Sequence, residues 1–158
     1  MQVPFRSSPM IVKPEWIDFN GHLNMAYYNV LFDQSLDELY PDIGFGYDYV
    51  KTTGCTTYVA EFHICYVREL HEGDAVTASF HLIDFDEKRF HSYSELHHED
   101  GWLAATAEGL TLHVDQSGPK VAPMPQNIQD ALKAYQAAQT EAVDPARIGR
   151  KVGLHQKK

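Results

Sequence analysis

The sequence has 158 residues, and 44% of them are apolar, which is enough for one hydrophobic core and too many for a disordered chain. Acidic residues outnumber basic ones by 22 to 13, and the net charge of −9 disfavours nucleic acid as a partner because phosphates require clustered cations. The sequence lacks an apolar run long enough to span a membrane and starts without a secretory signal, so a cytoplasmic protein without a membrane partner is expected.

The charge is distributed unevenly between two parts of the chain. Residues 1–125 carry 19 acidic and 7 basic side chains, whereas residues 126–158 carry 3 acidic and 6 basic ones. We therefore predict a domain over residues 1–125, followed by a C-terminal helix and basic tail over residues 126–158. The tail either binds an anionic ligand or is a solvated terminus.

The first elements are a short strand, a loop and a long helix. The apolar run Met10–Lys13 predicts the strand, and the turn-forming residues of Glu15–Asn24 predict the loop. Apolar residues at helical spacing predict an amphipathic helix over Met25–Tyr40. Asn24 is expected to cap this helix and Pro41 to end it.

A second group of elements follows this helix. One or two helical turns over Tyr47–Thr53 are expected to end at Gly54. Four strands should then form a meander in which consecutive strands are neighbours, over Tyr58–Tyr66, Val76–Leu82, Arg89–His98 and Trp102–Val114. In the first strand, Tyr58 should share a face with Phe62 and Ile64. A last helix is expected to run to about Ala142.

This order predicts an α+β fold in which one curved antiparallel sheet wraps around the long helix. Such a sheet leaves an edge strand with unpaired amides, and small proteins often protect such an edge with a second copy. A homodimer or homotetramer is therefore expected.

The loop before the long helix holds the densest group of residues suited to catalysis. A helix start offers free N–H groups to an oxygen that becomes negative during acyl transfer, and Gly21 permits close backbone approach. The Asp18 carboxylate can act there as nucleophile or as general base for water. The alternative is that Asp18, Asn20 and Asn24 only turn and cap the chain.

The run Asp18-Phe19-Asn20-Gly21-His22-Leu23-Asn24 resembles the Asp-x-x-Gly-His-x-Asn motif of hotdog-fold acyl-CoA thioesterases of the 4-hydroxybenzoyl-CoA thioesterase-like group. The resemblance extends over about residues 10–116. It implies a hotdog fold and hydrolysis of an acyl-CoA thioester, with Asp18 as the catalytic carboxylate and the Met25 N–H as oxyanion donor. It also implies that His22 and Asn24 shape and cap the loop.

A narrower resemblance links residues 14–22 and 86–91 to the thioesterases associated with carnitine dehydrogenase, whose substrate is betainyl-CoA. Aromatic faces and a carboxylate bind a quaternary ammonium. The expected substrate-binding residues are Trp16, Asn20, Gly21, Tyr28, Tyr58 and Glu61. Tyr28 and Tyr58 are alternatively ordinary core residues.

Coenzyme A carries phosphates, which require local cations despite the acidic total. The expected residues are Arg68, Lys88, Arg89 and Arg150, although surface ion pairs explain Lys88 and Arg89 almost as well. No cofactor and no metal site are expected, because His97 and His98 point to opposite faces of a strand and the other histidines lack ligand spacing.

Two other functions compete with thioester hydrolysis. The same fold supports an enoyl-CoA hydratase or dehydratase, in which Asp and His move water across a double bond. A non-enzymatic acyl-CoA-binding protein is the second alternative. Because the sequence lacks a Gly-x-Ser-x-Gly motif, a serine hydrolase is disfavoured.

Overall fold

The computed structural model describes residues 3–154. Within that range it contains three α-helices and seven strands. The helices are α1 Met25–Ile43, α2 Tyr47–Thr53 and α3 Gln126–Ala138. The strands are β1 Phe5–Arg6, β2 Met10–Ile11, β3 Cys55–Tyr66, β4 Ala75–Phe85, β5 Arg89–His98, β6 Leu103–Asp115 and β7 Lys120–Val121. No described helix is long and apolar enough to cross a membrane.

All strands form one antiparallel sheet in the order β1-β4-β5-β6-β3, with β2 also pairing with β4 and β7 with β6. The predicted neighbours β3 and β4 therefore lie far apart, and the predicted four-stranded meander is wrong. Of the four strands predicted to form the meander, β4, β5 and β6 do so. The segment that joins β3 to β4, residues 67–74, passes the start of α1, where the Leu70 C=O accepts the Leu23 N–H at 2.7 Å.

A bulge at Ala60 changes which side chains of β3 face α1. Val59 lies opposite Thr111 and Glu61 lies opposite Leu110, so Ala60 is the extra residue. Tyr58 consequently faces the same side as Glu61, and its predicted position beside Phe62 is wrong. Apolar alternation in a sequence does not reveal a bulge, because the extra residue shifts every side chain before it to the other face.

Helix α1 begins at Met25 as predicted, and the Asn24 side chain caps it by accepting the Ala26 N–H at 3.0 Å. Its predicted end at Pro41 is wrong, because the helix continues to Ile43. A proline near the end of a helix removes one hydrogen bond but leaves the final turn possible. The helix ends at Gly44, whose φ of 93° is a left-handed conformation that favours glycine.

Two clusters of buried side chains pack along α1. The first surrounds its N-terminal half and contains Leu31 and Phe32. The second surrounds its C-terminal half, where Leu39 packs with Leu132 and Tyr135 of α3. Helix α3 therefore completes a core that begins before residue 125, and the division into two parts at this residue stays a prediction.

The chain leaves α3 at Ala138, four residues before the predicted end, because the Gln139 side chain pairs with the Leu82 backbone of β4. The following segment crosses the outer face of the sheet, which is the face opposite α1. Glu141 pairs with Arg6 at 3.0 Å, and the Gly149 N–H donates to Glu108 at 2.8 Å.

Candidate active site

The loop from Asp18 to His22 is a tight turn held by its own hydrogen bonds. The Asp18 carboxylate accepts the Asn20 N–H at 2.8 Å, and the Asp18 C=O accepts the Gly21 N–H at 3.0 Å. The Asp18 N–H in turn donates to the His22 C=O at 3.1 Å. Gly21 has a φ of 84°, which a residue with a Cβ rarely adopts. The turn therefore holds the Asp18 carboxylate directly before α1.

The start of α1 leaves one backbone donor free beside this carboxylate. The Asn24 N–H donates to the Trp16 C=O at 3.0 Å, and the Asn24 side chain takes the Ala26 N–H. Among residues 3–154, the Met25 N–H has no acceptor. A free amide at a helix start carries partial positive charge and suits an oxyanion.

Asp18 and Met25 line one cleft of about 490 Å³, together with His22, Asn24 and Tyr28. The opposite wall is the segment Tyr66–Glu69, which follows β3. The structure thus brings the predicted carboxylate and the predicted oxyanion donor to the same cavity. Their catalytic roles stay predictions.

Two tyrosines shape the floor of the cleft. The Tyr28 hydroxyl accepts the Leu70 N–H at 3.2 Å, and the Tyr66 hydroxyl donates to the Met25 C=O at 3.3 Å. Burial raises the pKa of both phenols, so both remain neutral at physiological pH. The rings meet edge to face, with centroids 5.1 Å apart. The cleft therefore presents aromatic surface and neutral hydroxyls.

His22 lies at the side of the cleft, where its Nε2 is 3.9 Å from the Glu69 carboxylate. The His22 side chain is 29% exposed, and its backbone C=O belongs to the Asp18 turn. The two residues place an imidazole and a second carboxylate within the same cavity as Asp18.

The other predicted substrate-binding residues lie at different distances from this cleft. Trp16 is only 7% exposed and stacks on Tyr27 with ring centroids 5.4 Å apart, so it does not line the cavity. Asn20 lies at the exposed turn, with its amide 3.5 Å from the Asp18 carboxylate. Tyr58 and Glu61 lie on β3, facing the outer side of the sheet.

Of the four cations predicted to bind coenzyme A, Arg68 lines the cleft of Asp18. Lys88 lies 3.2 Å from Glu87, and Arg89 lies 2.6 Å from Asp86, so both form ion pairs at the β4–β5 turn. The Lys88 amide and the Arg89 side chain lower the pKa of Asp86.

Arg150 lines a second cavity, of about 260 Å³, on the outer face of the sheet. Glu61 and the hydrogen-bonded pair His91 and Glu108 also line it, with His91 Nε2 2.7 Å from the Glu108 carboxylate. Glu61 and Arg150 therefore share a cavity that is separate from the cleft of Asp18.

Sequence reasoning missed Tyr66, Val67 and Glu69 as residues of the cleft. Tyr66 ends the apolar alternation of β3, which was a usable signal. Glu69 lies in a stretch that resembles an ordinary turn, so only the passage of this segment beside α1 brings it to the site. No cluster of three or more metal-ligating side chains occurs within residues 3–154.

Comparisons with known proteins identify the family of this chain. The profile of the thioesterase-like superfamily matches residues 12–132. The betainyl-CoA thioesterase of Pseudomonas aeruginosa is 32% identical over 90% of this chain and 91% of that protein. The L-carnitine dehydrogenase/betainyl-CoA thioesterase of Rhizobium meliloti is 34% identical over 95% of this chain, which spans 30% of the length of that protein.

Among solved structures, a Staphylococcus aureus protein in complex with CoA superimposes with a TM-score of 0.89 and 26% identity, covering 98% of this chain and 99% of that chain. The fold and the site define a hotdog protein of the thioesterase type. This chain belongs to the thioesterase-like superfamily. The expected α+β hotdog fold and the expected class of thioester hydrolase are confirmed.

Proposed function

We propose that this protein hydrolyses betainyl-CoA to betaine and coenzyme A. The observation that carries the hydrolytic part is the joint position of the Asp18 carboxylate and the free Met25 amide in one cleft. The names of the curated relatives support the choice of acyl group. The proposed reaction needs water as its second substrate.

In the proposed reaction the Met25 N–H binds the thioester oxygen as it becomes negative, while the carbonyl carbon is attacked from the side of Asp18. Asp18 either activates a water molecule or attacks the carbon itself, forming an anhydride that water then cleaves. Both routes break the carbon–sulfur bond and release the thiol of coenzyme A. The Asn24 cap holds the start of α1 with its Met25 amide, and the turn closed by the His22 C=O holds the Asp18 carboxylate.

The quaternary ammonium of a betainyl group fits the aromatic and acidic side of the cleft. Tyr28 and Tyr66 offer ring surface, and Glu69 offers a carboxylate. A cation near an aromatic face gains about 0.5–2 kcal/mol, depending on its desolvation. We therefore propose that Tyr28, Tyr66 and Glu69 select the acyl group. The buried Trp16 is not proposed to contact it.

The free edge of β3 supports a homodimer. Among the strands of residues 3–154, β3 pairs with β6 on one side and with none on the other, and it exposes apolar side chains, including Val59 and Tyr66. Antiparallel pairing with a second copy along β3 would satisfy the unpaired backbone groups of this edge.

The proposed activity is tested by measuring thiol release from betainyl-CoA and from 3,3-dimethylbutyryl-CoA, its neutral isostere. We expect the betainyl substrate to be hydrolysed about tenfold faster at low concentration, because the isostere lacks the cation. Equal rates would contradict the choice of acyl group and leave hydrolysis intact.

The role of Asp18 is tested with Asp18→Asn and Asp18→Ala in the same assay. A loss of about two to four orders of magnitude in turnover is expected when a catalytic carboxylate is removed. Asp42→Asn, at an exposed position near the other end of α1, is the matched control. Unchanged turnover in both Asp18 variants would reject its assignment.

The two competing functions give different results in these assays. A hydratase changes the absorbance of an enoyl-CoA without releasing thiol. A binding protein raises the melting temperature with acyl-CoA and shows no turnover. Chromatography with light scattering reports the oligomeric state, and Val59→Lys on the free edge of β3 should shift a dimer toward monomer.

A further inference from the structure

Two of the five arginines in residues 3–154, Arg68 and Arg150, have no ion-pair partner, and of these two only Arg68 lines the cleft of Asp18. Among the described residues no carboxylate lies within ion-pair distance of its guanidinium, whereas Arg6, Arg89 and Arg147 each pair with a carboxylate. Arg68 lines the cleft of Asp18, and its side chain is exposed. A free guanidinium in a substrate cleft is a site for an anionic group.

The guanidinium of Arg68 is supported by an aromatic stack. Its Cζ lies 4.0 Å from the centroid of the Trp102 ring. The His98 ring lies 4.4 Å from the same centroid, with 11° between the two planes. Two groups this close to one ring cannot share a face, so Arg68 and His98 lie on opposite faces of Trp102.

Hydrogen bonds fix the backbone at both ends of this stack, next to Arg68 and between His98 and Trp102. The Val67 and Arg68 N–H groups both donate to the Ala104 C=O of β6, at 2.9 and 3.0 Å. His98 and Trp102 are joined across the β5–β6 hairpin, where the His98 N–H donates to the Trp102 C=O at 3.0 Å. The stack is therefore anchored on two strands.

The imidazole of His98 is fixed as well as stacked. Its Nδ1 accepts the Asp100 N–H at 3.1 Å, and its Nε2 lies 3.6 Å from the Asp74 carboxylate. The side chain is only 10% exposed. His98 thus supports the back of the indole, and the indole supports the front-facing guanidinium.

Stacking on an indole leaves the in-plane N–H groups of an arginine free while its face is desolvated. Because the side chain is already ordered, less conformational entropy is lost when a ligand binds. The planar N–H fork matches a phosphate, which accepts two parallel hydrogen bonds. The substrate of a thioesterase in this cleft carries such phosphates only on its coenzyme A part.

We infer that Arg68 anchors a phosphate of coenzyme A and that Trp102, backed by His98, is a positioning residue that holds the guanidinium ready at the rim of the cleft. This inference rests on the proposed function for its substrate class. It adds two residues, Trp102 and His98, that do not line the cleft. It also separates Arg68 from Lys88 and Arg89, whose charges are compensated at a hairpin turn.

The test compares two substrates that share the acyl group hydrolysed fastest: the acyl-CoA and the matching acyl-pantetheine, which lacks every phosphate. We expect Arg68→Gln to raise KM for the acyl-CoA about tenfold to a hundredfold, since hydrogen bonds between charged groups are the strong ones. The value of kcat, and KM for the acyl-pantetheine, should change little. Arg147→Gln is the matched control, because this arginine pairs with Asp144 away from the cleft.

Trp102→Leu should raise KM for the acyl-CoA about threefold to tenfold, and Trp102→Phe should restore most of the loss because it keeps an aromatic face. A merely structural role would change both substrates equally and lower the melting temperature. Equal effects on acyl-CoA and acyl-pantetheine would overturn the inference, as would identical results for the Leu and Phe variants.

A binding measurement makes the inference independent of catalysis. The chain has two tryptophans, so Trp16→Phe leaves Trp102 as the sole reporter of indole fluorescence. Titration with coenzyme A should change its emission, and titration with pantetheine should not. No response to coenzyme A would overturn the inference even if hydrolysis is observed. A response without thiol release would instead contradict the proposed function alone.

Discussion

The two ends of α1 differ in what happens to their free backbone groups. At the N-terminal end the Met25 amide has no acceptor among the described residues and borders the cleft. At the C-terminal end the Gly44 and Phe45 amides satisfy carbonyls of the last turn, at 3.2 and 2.8 Å. One helix is therefore open to a ligand at its start and closed by packing at its end.

The surroundings of the two ends differ in the same way. The N-terminal end borders a cleft of polar and half-buried side chains, whereas the C-terminal end packs in the second cluster with α3. Changes at the first end should affect the reaction rate more than the stability. Changes at the second end should affect stability and leave the rate per folded molecule unchanged.

Removing the free Met25 amide should have the largest effect at the open end of α1. Met25→Pro deletes the N–H, and proline is tolerated at the first position of a helix, where Asn24 already has the extended conformation that precedes a proline. We expect a loss of about 10²–10³ in kcat, or roughly 3–4 kcal/mol of barrier, in the thiol-release assay.

Met25→Ala keeps the amide and serves as the control for loss of the exposed Met25 side chain. Its turnover should stay near that of the unaltered protein, and both variants should melt at similar temperatures. If the proline variant remained fully active while folded, the Met25 amide would not be the oxyanion donor.

At the closed end, Tyr135→Phe tests the opposite expectation. The Tyr135 hydroxyl accepts the Phe5 N–H and donates to the Phe80 C=O, both at 2.8 Å, and burial raises its pKa to about 12. Removing it leaves two buried backbone groups unpaired and should cost about 1–3 kcal/mol of unfolding free energy, measured by urea denaturation.

The matched control is Tyr47→Phe, because the Tyr47 ring is 79% exposed. It should leave the urea midpoint unchanged. The activity of Tyr135→Phe per folded molecule should equal that of the unaltered protein, and a large fall in kcat would show that the two ends are coupled.

Asn24→Ala should lower both stability and activity, because Asn24 caps α1 directly before the Met25 amide. Loss of the cap to the Ala26 N–H should cost about 1 kcal/mol of stability, measured by thermal or urea unfolding. Turnover should also fall, since the freed helix start no longer holds the Met25 amide in place. Asn24→Asp, which retains an acceptor, should recover most of the stability.

The smallest expected effect is the pH dependence of stability that results from His81, on the outer face of the sheet. Burial of His81 lowers its pKa from 6.5, opposed by the Glu95 and Glu141 carboxylates and reinforced by Arg6. Below pH 6.5 the unfolded chain takes up a proton that the folded chain resists, so stability falls as the pH decreases toward the folded pKa.

His81→Gln removes this contribution, and its melting temperature should fall less than that of the unaltered protein as the pH is lowered through 6.5. At higher pH the His81 side chain is neutral in both the folded and the unfolded chain, as glutamine is at every pH. The difference in melting temperature between the two proteins in that range is therefore the reference value. Parallel curves for the two proteins would contradict the assignment to His81.

Local signals in the chain were sufficient for the loop and the helix start. The turn from Asp18 to His22 and the Asn24 cap depend on hydrogen bonds between residues two to four positions apart. Short-range interactions of this kind are encoded directly by Asx and glycine residues. The position of the carboxylate before α1 was therefore predictable.

Pairings between distant segments were not predictable in the same way. The alternation in β3 was visible, yet its partner β6 and its bulge at Ala60 depend on register across about fifty residues of chain. The chemistry of Tyr58 and Glu61 predicts that both bind the substrate beside Asp18. The bulge and the sheet order instead place both on the outer face of the sheet.

The chain's local signals were enough for most helices and strands and for the turn that places Asp18 before α1, because helix caps, tight turns and apolar periods result from contacts between close neighbours in the chain. Packing between distant segments was needed to fix which strands are adjacent, which residues form the far wall of the cleft, and which cation stands unpaired beside it. These features depend on long-range packing, in which Trp102 comes to lie under Arg68 because β3 and β6 are neighbours.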